Sequence, residues 1–249
     1  MSIKKPYKRT VRQFTEERIQ EGGLWAYFYH SDYAEAPEHY VRAFLIILKD
    51  FINLLDYIEP ADKNLPTYSF RIHELLLRVC IEIEANCVAI LSENGYKKTG
   101  NWTMNDYKKI NKSHKLSSYA VKLPVWKGNQ NIRKPFENWK DNKSLLWWDG
   151  YNKSKHDRHT EFEKATFENL TEAICGLIVI LSAQFQDNDF SPQDWGLSMV
   201  GINDGMESSI GGYFRVKYPL DWSEEEKYDF KFSELEKVEP NPIDIYNFE

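Results

Sequence analysis

Apolar residues along this chain recur mainly at intervals of three and four, the period of one helix face, and at intervals of two only toward the C-terminus. After Pro37, the stretch EHYVRAFLIILKDFINLLDYI puts Tyr40, Phe44, Ile47, Phe51, Leu54 and Ile58 on one stripe, which predicts a helix ended by Pro60. A second helix is expected from about Pro66 to Leu91. Its segment RIHELLLRVCIEIEANCVAIL is apolar almost all round, so it belongs in the centre of a bundle, and Asn94-Gly95 stops it. A third helix covers about Lys143 to His156. A fourth covers about Glu161 to Phe185, with Phe167, Leu170, Ile174, Leu177, Ile178, Leu181 and Phe185 as its stripe. Between the second and third, TMNDYKKI predicts a short helix capped by Thr103, and SSYAVKLPVWKG reads as a loop or short edge strand. Beyond residue 187, SIGGYFRVKYP and EEKYDFKFSELE alternate and are joined by PLDWSE, which predicts an antiparallel hairpin.

The predicted organisation is an aromatic-rich N-terminal arm at 1–36, a helical domain at 37–186 and a β-rich extension at 187–249. The helical domain carries an insertion at 95–142. The length of 249 residues suits one large domain or a smaller one with extensions. No run of eighteen apolar residues is present, so no membrane-spanning helix is expected. The opening MSIKKPYKRTVRQFTEERIQ lacks the apolar core of a secretion signal. Cys80, Cys87 and Cys175 sit in apolar helical segments with no metal-site spacing, so they are expected to be reduced core residues of a cytoplasmic protein.

Charge changes the picture more than composition does. The net charge of −6 conceals an asymmetry: residues 97–158 hold 15 Lys/Arg against 5 Asp/Glu, and residues 187–249 hold 5 against 15. Two solvated surfaces of opposite sign would explain this. So would a basic face for a polyanion, with an acidic segment that screens it or packs on it.

The chemistry concentrates in WWDGYNKSKHDR, residues 147–158. On a helix, Trp148, Asn152 and His156 stack at steps of four, with His159 three further on if the helix continues, while Lys155 and Arg158 flank them. Trp147 and Tyr151 fall on the neighbouring stripe, toward the core. One reading is a helix bolted down by aromatics with a polar working edge; the other is an ordinary cationic helix C-terminus. On the second helix, Glu74, Arg78 and Glu82 are also four apart. They form either a solvent-facing ion ladder or a stripe that meets a partner inside the bundle. A phosphate-binding glycine loop, Gly-x-Ser-x-Gly, His-Glu-x-x-His and Cys-x-x-Cys are all absent from the sequence.

The Asn-x-x-Lys-His-x-Arg pattern of YNKSKHDR, set between two long apolar helices and preceded by the charged stripe of the second helix, resembles HEPN domains over about residues 38 to 186. The resemblance implies a mainly α-helical, HEPN-like bundle, here with a C-terminal antiparallel β-hairpin extension. Many such domains are metal-independent RNases of bacterial toxin, abortive-infection and phage-defence systems. They commonly dimerise so that paired Arg-x(4–6)-His motifs form one composite cleft. This chain departs from the motif, because Asn152 stands where the family has its Arg, giving Asn-x(3)-His. The roles implied are His156 as general acid or base toward the RNA 2′-hydroxyl, Asn152 orienting a hydroxyl or phosphate, and Arg158 stabilising charge. Lys153, Lys155, His159 and Arg78 would bind RNA or phosphate, and Glu74 and Glu82 would support them. No metal or cofactor is expected. The expected partners are RNA or a nucleotide, a second copy of the chain in a homodimer, and an antitoxin or other protein; no membrane is expected. The alternative is a catalytically inert HEPN-like module that binds a nucleotide, nucleic acid or protein.

Overall fold

The structure is a computed structural model and describes residues 2–19, 23–190 and 205–248. In chain order its helices are α1 (Glu16–Ile19), α2 (Pro37–Leu55), α3 (Phe70–Glu93), α4 (Met104–Lys108), α5 (Ile110–His114), α6 (Leu146–His156), α7 (Arg158–Glu161), α8 (Phe167–Phe185) and α9 (Phe232–Val238). The mainly helical expectation is met. Helices α3 and α8 form the central pair, with α2 and α6 packed on α3. α3 buries Ile72, Leu75, Leu76, Val79, Ile83, Ile90 and Leu91, and α8 is buried along nearly its whole length. By length and composition α8 is long enough and apolar enough to cross a bilayer, but 83% of its apolar window lies inside the protein. Cys80, Cys87 and Cys175 are free and buried, and burial raises all three thiols above their ordinary pKa, which keeps them protonated.

Local signals set the helix starts. Ser69 accepts from the Ile72 amide at 3.2 Å at the head of α3, and Thr166 accepts from the Asn169 amide at 3.1 Å at the head of α8. Thr103 and Asp106 form a capping box on α4. The predicted fourth helix begins later than expected. Asp157 leaves helical geometry at φ −131°, ψ 67° and its carboxylate caps α7 through the Thr160 amide. A 3-10 turn, Phe162–Lys164, and the Thr166 cap then restart the chain as α8. Two good caps nine residues apart outweigh one continuous helix.

The strands are short: β1 (Ala120–Lys122), β2 (Ile132–Arg133), β3 (Glu207–Ser208) and β4 (Arg215–Lys217) form an antiparallel sheet in the order β2-β1-β4-β3. This corrects the expected hairpin. Only SIGGYFRVKYP supplies a strand, and it turns back on β3 through Gly211 and Gly212, both at positive φ. On its other side β4 pairs with β1, so β1 is central rather than an edge. In EEKYDFKFSELE the alternation serves the core instead. Tyr228 makes parallel bridges to Ile3 and Phe14, Phe230 lies 5.1 Å from Phe14, and Phe232 opens α9. Period-two spacing buries alternate rings whether or not a strand partner lies beside them.

Residues of the 1–36 segment and of the segment beyond 187 enter the same apolar cluster as the helices: Val11, Phe14, Tyr27, Phe214, Tyr228 and Phe230 are all buried in it. The N-terminal segment is fastened by charge as well. Arg9, fully buried at φ 53°, donates to Glu93 Oε1 at 2.7 Å, Gln184 Oε1 at 2.9 Å and the Glu35 carbonyl at 2.7 Å. Its own carbonyl lies 2.8 Å from Nε2 of the buried His114. The acidic C-terminal segment meets the basic one: Lys115 lies 3.1 Å from Glu226 and 3.9 Å from Asp221, next to the β1–β4 pairing.

Candidate functional site

α6 is anchored by its aromatic side. Trp147, Trp148 and Tyr151 are buried, and Trp147 Nε1 donates to the Pro135 carbonyl at 2.9 Å. Gly150 lets the helix press on the turn before α8: a Cβ there would lie 2.3 Å from Asn169 Nδ2 and 3.2 Å from the Lys164 carbonyl. The Tyr151 hydroxyl donates to Glu84 Oε1 at 3.2 Å and accepts from Lys155 Nζ at 2.9 Å. Burial, and then the Glu84 charge, raise that phenol's pKa. Lys155, a sequence-predicted RNA contact, thus turns its ammonium inward onto a neighbour one helical turn away.

The other polar residues of this stretch emerge on the surface. Asn152 is half-buried, and Lys153, His156, Arg158 and His159 are exposed. The side chains of these five make no hydrogen bond or ion pair with a described residue. The break at Asp157 puts Arg158 and His159 on a separate turn, α7, so they are not held to the opposite side of a continuous α6 helix.

An aromatic patch stands at this end of the bundle, and sequence reasoning missed it. Phe70 is 68% exposed and Tyr68 51% exposed. Phe162, directly after α7, lies 4.7 Å from Phe70 and 5.8 Å from Tyr68, ring centre to ring centre. His73 links the patch to α6: its ring is 5.5 Å from Phe162 and its Nε2 lies 3.2 Å from the Ser154 carbonyl. A signal was present, since Tyr68 and Phe70 flank the Ser69 cap and belong to no helical stripe.

Arg78 and Glu74 are placed elsewhere. Arg78 pairs with Asp50 of α2 at 2.5 Å, in a groove of ≈ 250 Å³ between α2 and α3 that Glu74 also lines, and Glu74 in turn pairs with Arg71 at 3.2 Å. His73 faces α6, and Arg78 is five positions on, about 140° round the helix axis, so Arg78 turns away from α6. Glu82 is half-buried. Desolvation raises its carboxyl above the usual range while Arg78 pulls it down. No hydrogen bond joins Glu74 or Glu82 to His156. The chain therefore presents His156 at the same end as Asn152, Lys153, Arg158 and His159, and does not add Arg78, Glu74 or Glu82 to them. Among the described residues, no group of three or more His, Cys, Asp or Glu is placed to hold a metal ion.

No protein-family model matches this chain, and neither a curated protein nor a solved structure is significantly similar to it.

Proposed function

We propose that the chain is an RNA-directed, HEPN-like helical module that binds single-stranded RNA at the bundle end formed by the last turn of α6, α7 and the start of α3. The observation that carries this reading is that the Lys153, His156, Arg158 and His159 side chains have no partner among the described residues, at the same end as the exposed rings of Tyr68 and Phe70 and the half-buried ring of Phe162. Cations answer the phosphate backbone and exposed ring faces accept bases, which together are the parts of a single-strand binding surface. Both contacts tolerate any base, so the binding expected is weakly sequence-selective and strongly salt-dependent.

Ribonuclease chemistry on this surface is the second reading, and it rests on His156. RNA supplies the 2′-hydroxyl nucleophile, and an imidazole is the type of side chain that moves protons near neutral pH; His156 and His159 are both exposed here, and His156 stands one helical turn after Asn152. His156 has no positioned hydrogen-bond partner among the described residues of one chain, so this reading requires a homodimer in which two copies of the α6–α7 edge face one strand.

Fluorescence anisotropy with a single-stranded oligoribonucleotide tests binding. The wild type is expected to bind at low salt, and Phe70→Ala/Phe162→Ala and Arg158→Ala/His159→Ala are each expected to weaken it while the fold persists. Equal affinity in wild type and both double variants would remove this surface from RNA binding. Cleavage is tested in EDTA, where activity abolished by His156→Ala would establish the enzyme reading. Intact RNA with unchanged binding would leave the inert module.

A further inference from the structure

The second surface of interest lies within the basic insertion, away from the α6–α7 end. Helices α4 and α5, the 3-10 turn Glu137–Asp141 and the last described residues of the chain enclose a groove of ≈ 500 Å³. Lys108, Lys109 and Lys112 all line it, with Asn105 and Asn111 beside them and the buried Trp139 as an apolar element of its wall.

The groove lysines differ in their partners from five others of the basic region, which are matched to carboxylates: Lys98 to Asp106, Lys115 to Glu226, Lys127 to Glu59, Lys134 to Glu137 and Lys143 to Asp141. In the groove the acceptors are neutral. Lys108 Nζ donates to Asn142 Oδ1, and Lys109 Nζ donates to the Phe248 carbonyl at 3.2 Å and lies 4.9 Å from the centre of the Tyr96 ring. Lys112 is exposed and has no partner among the described residues. No Asp or Glu is among the described residues that line the groove. Asp106, next to Asn105 in the chain, is drawn off by Thr103, Tyr96 and Lys98, and Asp141, next to Asn142, pairs with Lys143. Three ammonium groups therefore share one concave space with no anion among its described lining residues. That arrangement costs repulsion unless an anion enters.

Asn111 shows that the wall is built. Its Oδ1 accepts from the Ser117 amide at 2.8 Å, which fixes the side chain and leaves its amide hydrogens as donors. Asn105 is exposed and unpaired among the described residues, with a donor and an acceptor to offer. Clustered ammonium donors suit the oxygens of a phosphate or pyrophosphate group, and carboxamides suit a sugar hydroxyl or a base edge. The volume falls in the range of small-molecule sites.

We infer that this groove is a binding site for a 5′-phosphorylated nucleoside, with its phosphates on Lys108, Lys109 and Lys112 and its sugar or base on Asn105 and Asn111. The ligand chemistry is the same for a free nucleotide and for the 5′-phosphate end of an RNA strand. The site is independent of the α6–α7 surface, so either assignment stands if the other fails.

Isothermal titration of the full chain at low salt tests it with four probes: inorganic pyrophosphate, ADP, and one oligoribonucleotide bearing either a 5′-phosphate or a 5′-hydroxyl. Pyrophosphate and ADP are expected to bind. Lys108→Glu and Lys112→Glu, both exposed enough to keep the fold, are each expected to weaken ADP by about tenfold or more and to reduce the salt dependence. Lys63→Glu, an exposed lysine outside the groove, controls for net charge. A 5′-phosphate preference in the oligonucleotide arm that Lys112→Glu erases identifies the strand end as a ligand, and ADP binding without that preference identifies the free nucleotide. The inference is overturned if neither pyrophosphate nor ADP binds, or if ADP binds Lys108→Glu, Lys112→Glu and Lys63→Glu equally. Loss of RNA binding in the α6–α7 variants with ADP binding intact would leave this site untouched.

Discussion

Arg9 and Arg158 carry the same guanidinium into opposite surroundings. Around Arg9 each nitrogen has an acceptor, and the ring of Tyr40 lies 4.5 Å away. The network continues from Gln184 Nε2 to Asn86 Oδ1 at 2.9 Å, and Tyr33 donates to the Gln184 carbonyl at 2.6 Å. Arg158 is exposed on a four-residue helix and donates to no described residue. A buried cation must be fully matched or it unfolds its surroundings. An exposed one gains little from pairing and stays available to a ligand. The molecule thus uses positive charge as an internal fastening at its N-terminal segment and as unspent donors at the α6–α7 end.

The largest expected effect tests the internal fastening. Arg9→Met leaves Glu93, Gln184 and the Glu35 carbonyl without their donor and is expected to cost about 3–5 kcal/mol in urea denaturation, as breaking buried pairs does. Arg158→Met is expected to change stability by about 0.5 kcal/mol or less. If the two variants lose similar amounts, the contrast between these regions is wrong.

Acid provides the next test. Burial lowers the pKa of His114 to about 4, with the Arg9 carbonyl opposing and Arg12 reinforcing the shift. Its unfolded value is about 6.5. The folded pKa of this base is depressed, so the unfolded chain binds the proton first as pH falls. The contribution of His114 is complete above about pH 6.5 and is lost progressively down to about pH 4, at up to about 1.4 kcal/mol per pH unit. Glu172, whose burial raises its carboxyl despite Arg133, acts in the opposite sense, so the difference between His114→Gln and wild type is the useful readout. Urea midpoints at pH 7, 6, 5 and 4.5 should show the variant losing less stability than the wild type across that window. Parallel pH curves would mean that His114 is not held neutral.

Gly150→Ala sharpens the same contrast within α6, where one turn is clamped and the next is free. The added methyl would meet the Asn169 side chain and the Lys164 carbonyl, and a loss of about 1–3 kcal/mol is expected. Combining it with Asn169→Ala should recover part of the loss in thermal melts; a purely additive double variant would place the strain elsewhere. The smallest effect belongs to His156→Ala, which is expected to move stability by no more than about 0.5 kcal/mol while lowering RNA affinity. A strongly destabilised His156→Ala would mean that the imidazole packs in the fold and is not held in reserve.

Much of the helical frame could be read from residue order, because helix faces and caps are local properties. The unbroken apolar character of the second and fourth predicted helices marked the central pair α3 and α8, and Pro37, Pro66, Asn94 and Thr103 marked boundaries within a few residues. The anchoring of α6 by Trp147 and Tyr151, with His156 left outside, also followed from spacing, whereas Trp148, which spacing put on the stripe of Asn152 and His156, is buried with the other aromatics. The partners of the charged residues did not. Arg78 was four residues from both Glu74 and Glu82, yet its carboxylate is Asp50 on another helix. Asp62 carried no signal as a lone acid after Pro60, and it latches the insertion by accepting from Trp126 Nε1 at 2.7 Å and from the Asn129 amide at 2.8 Å.

By itself, then, the sequence determined where helices form, which of their faces turn inward and that residues 147–158 carry an unusual density of polar groups, since periodicity and capping act over a few residues. Only the tertiary structure decided that the alternating C-terminal segment splits between β4 and α9, that Arg9 is buried rather than solvated, and that Phe162 meets Phe70 at the α6–α7 end. It also decided that Lys108, Lys109 and Lys112 share a groove without an acid among its described residues. Each of these depends on which distant residues arrive opposite. A side chain's charge or alternation states that it needs a partner, and the partner itself is chosen by long-range packing.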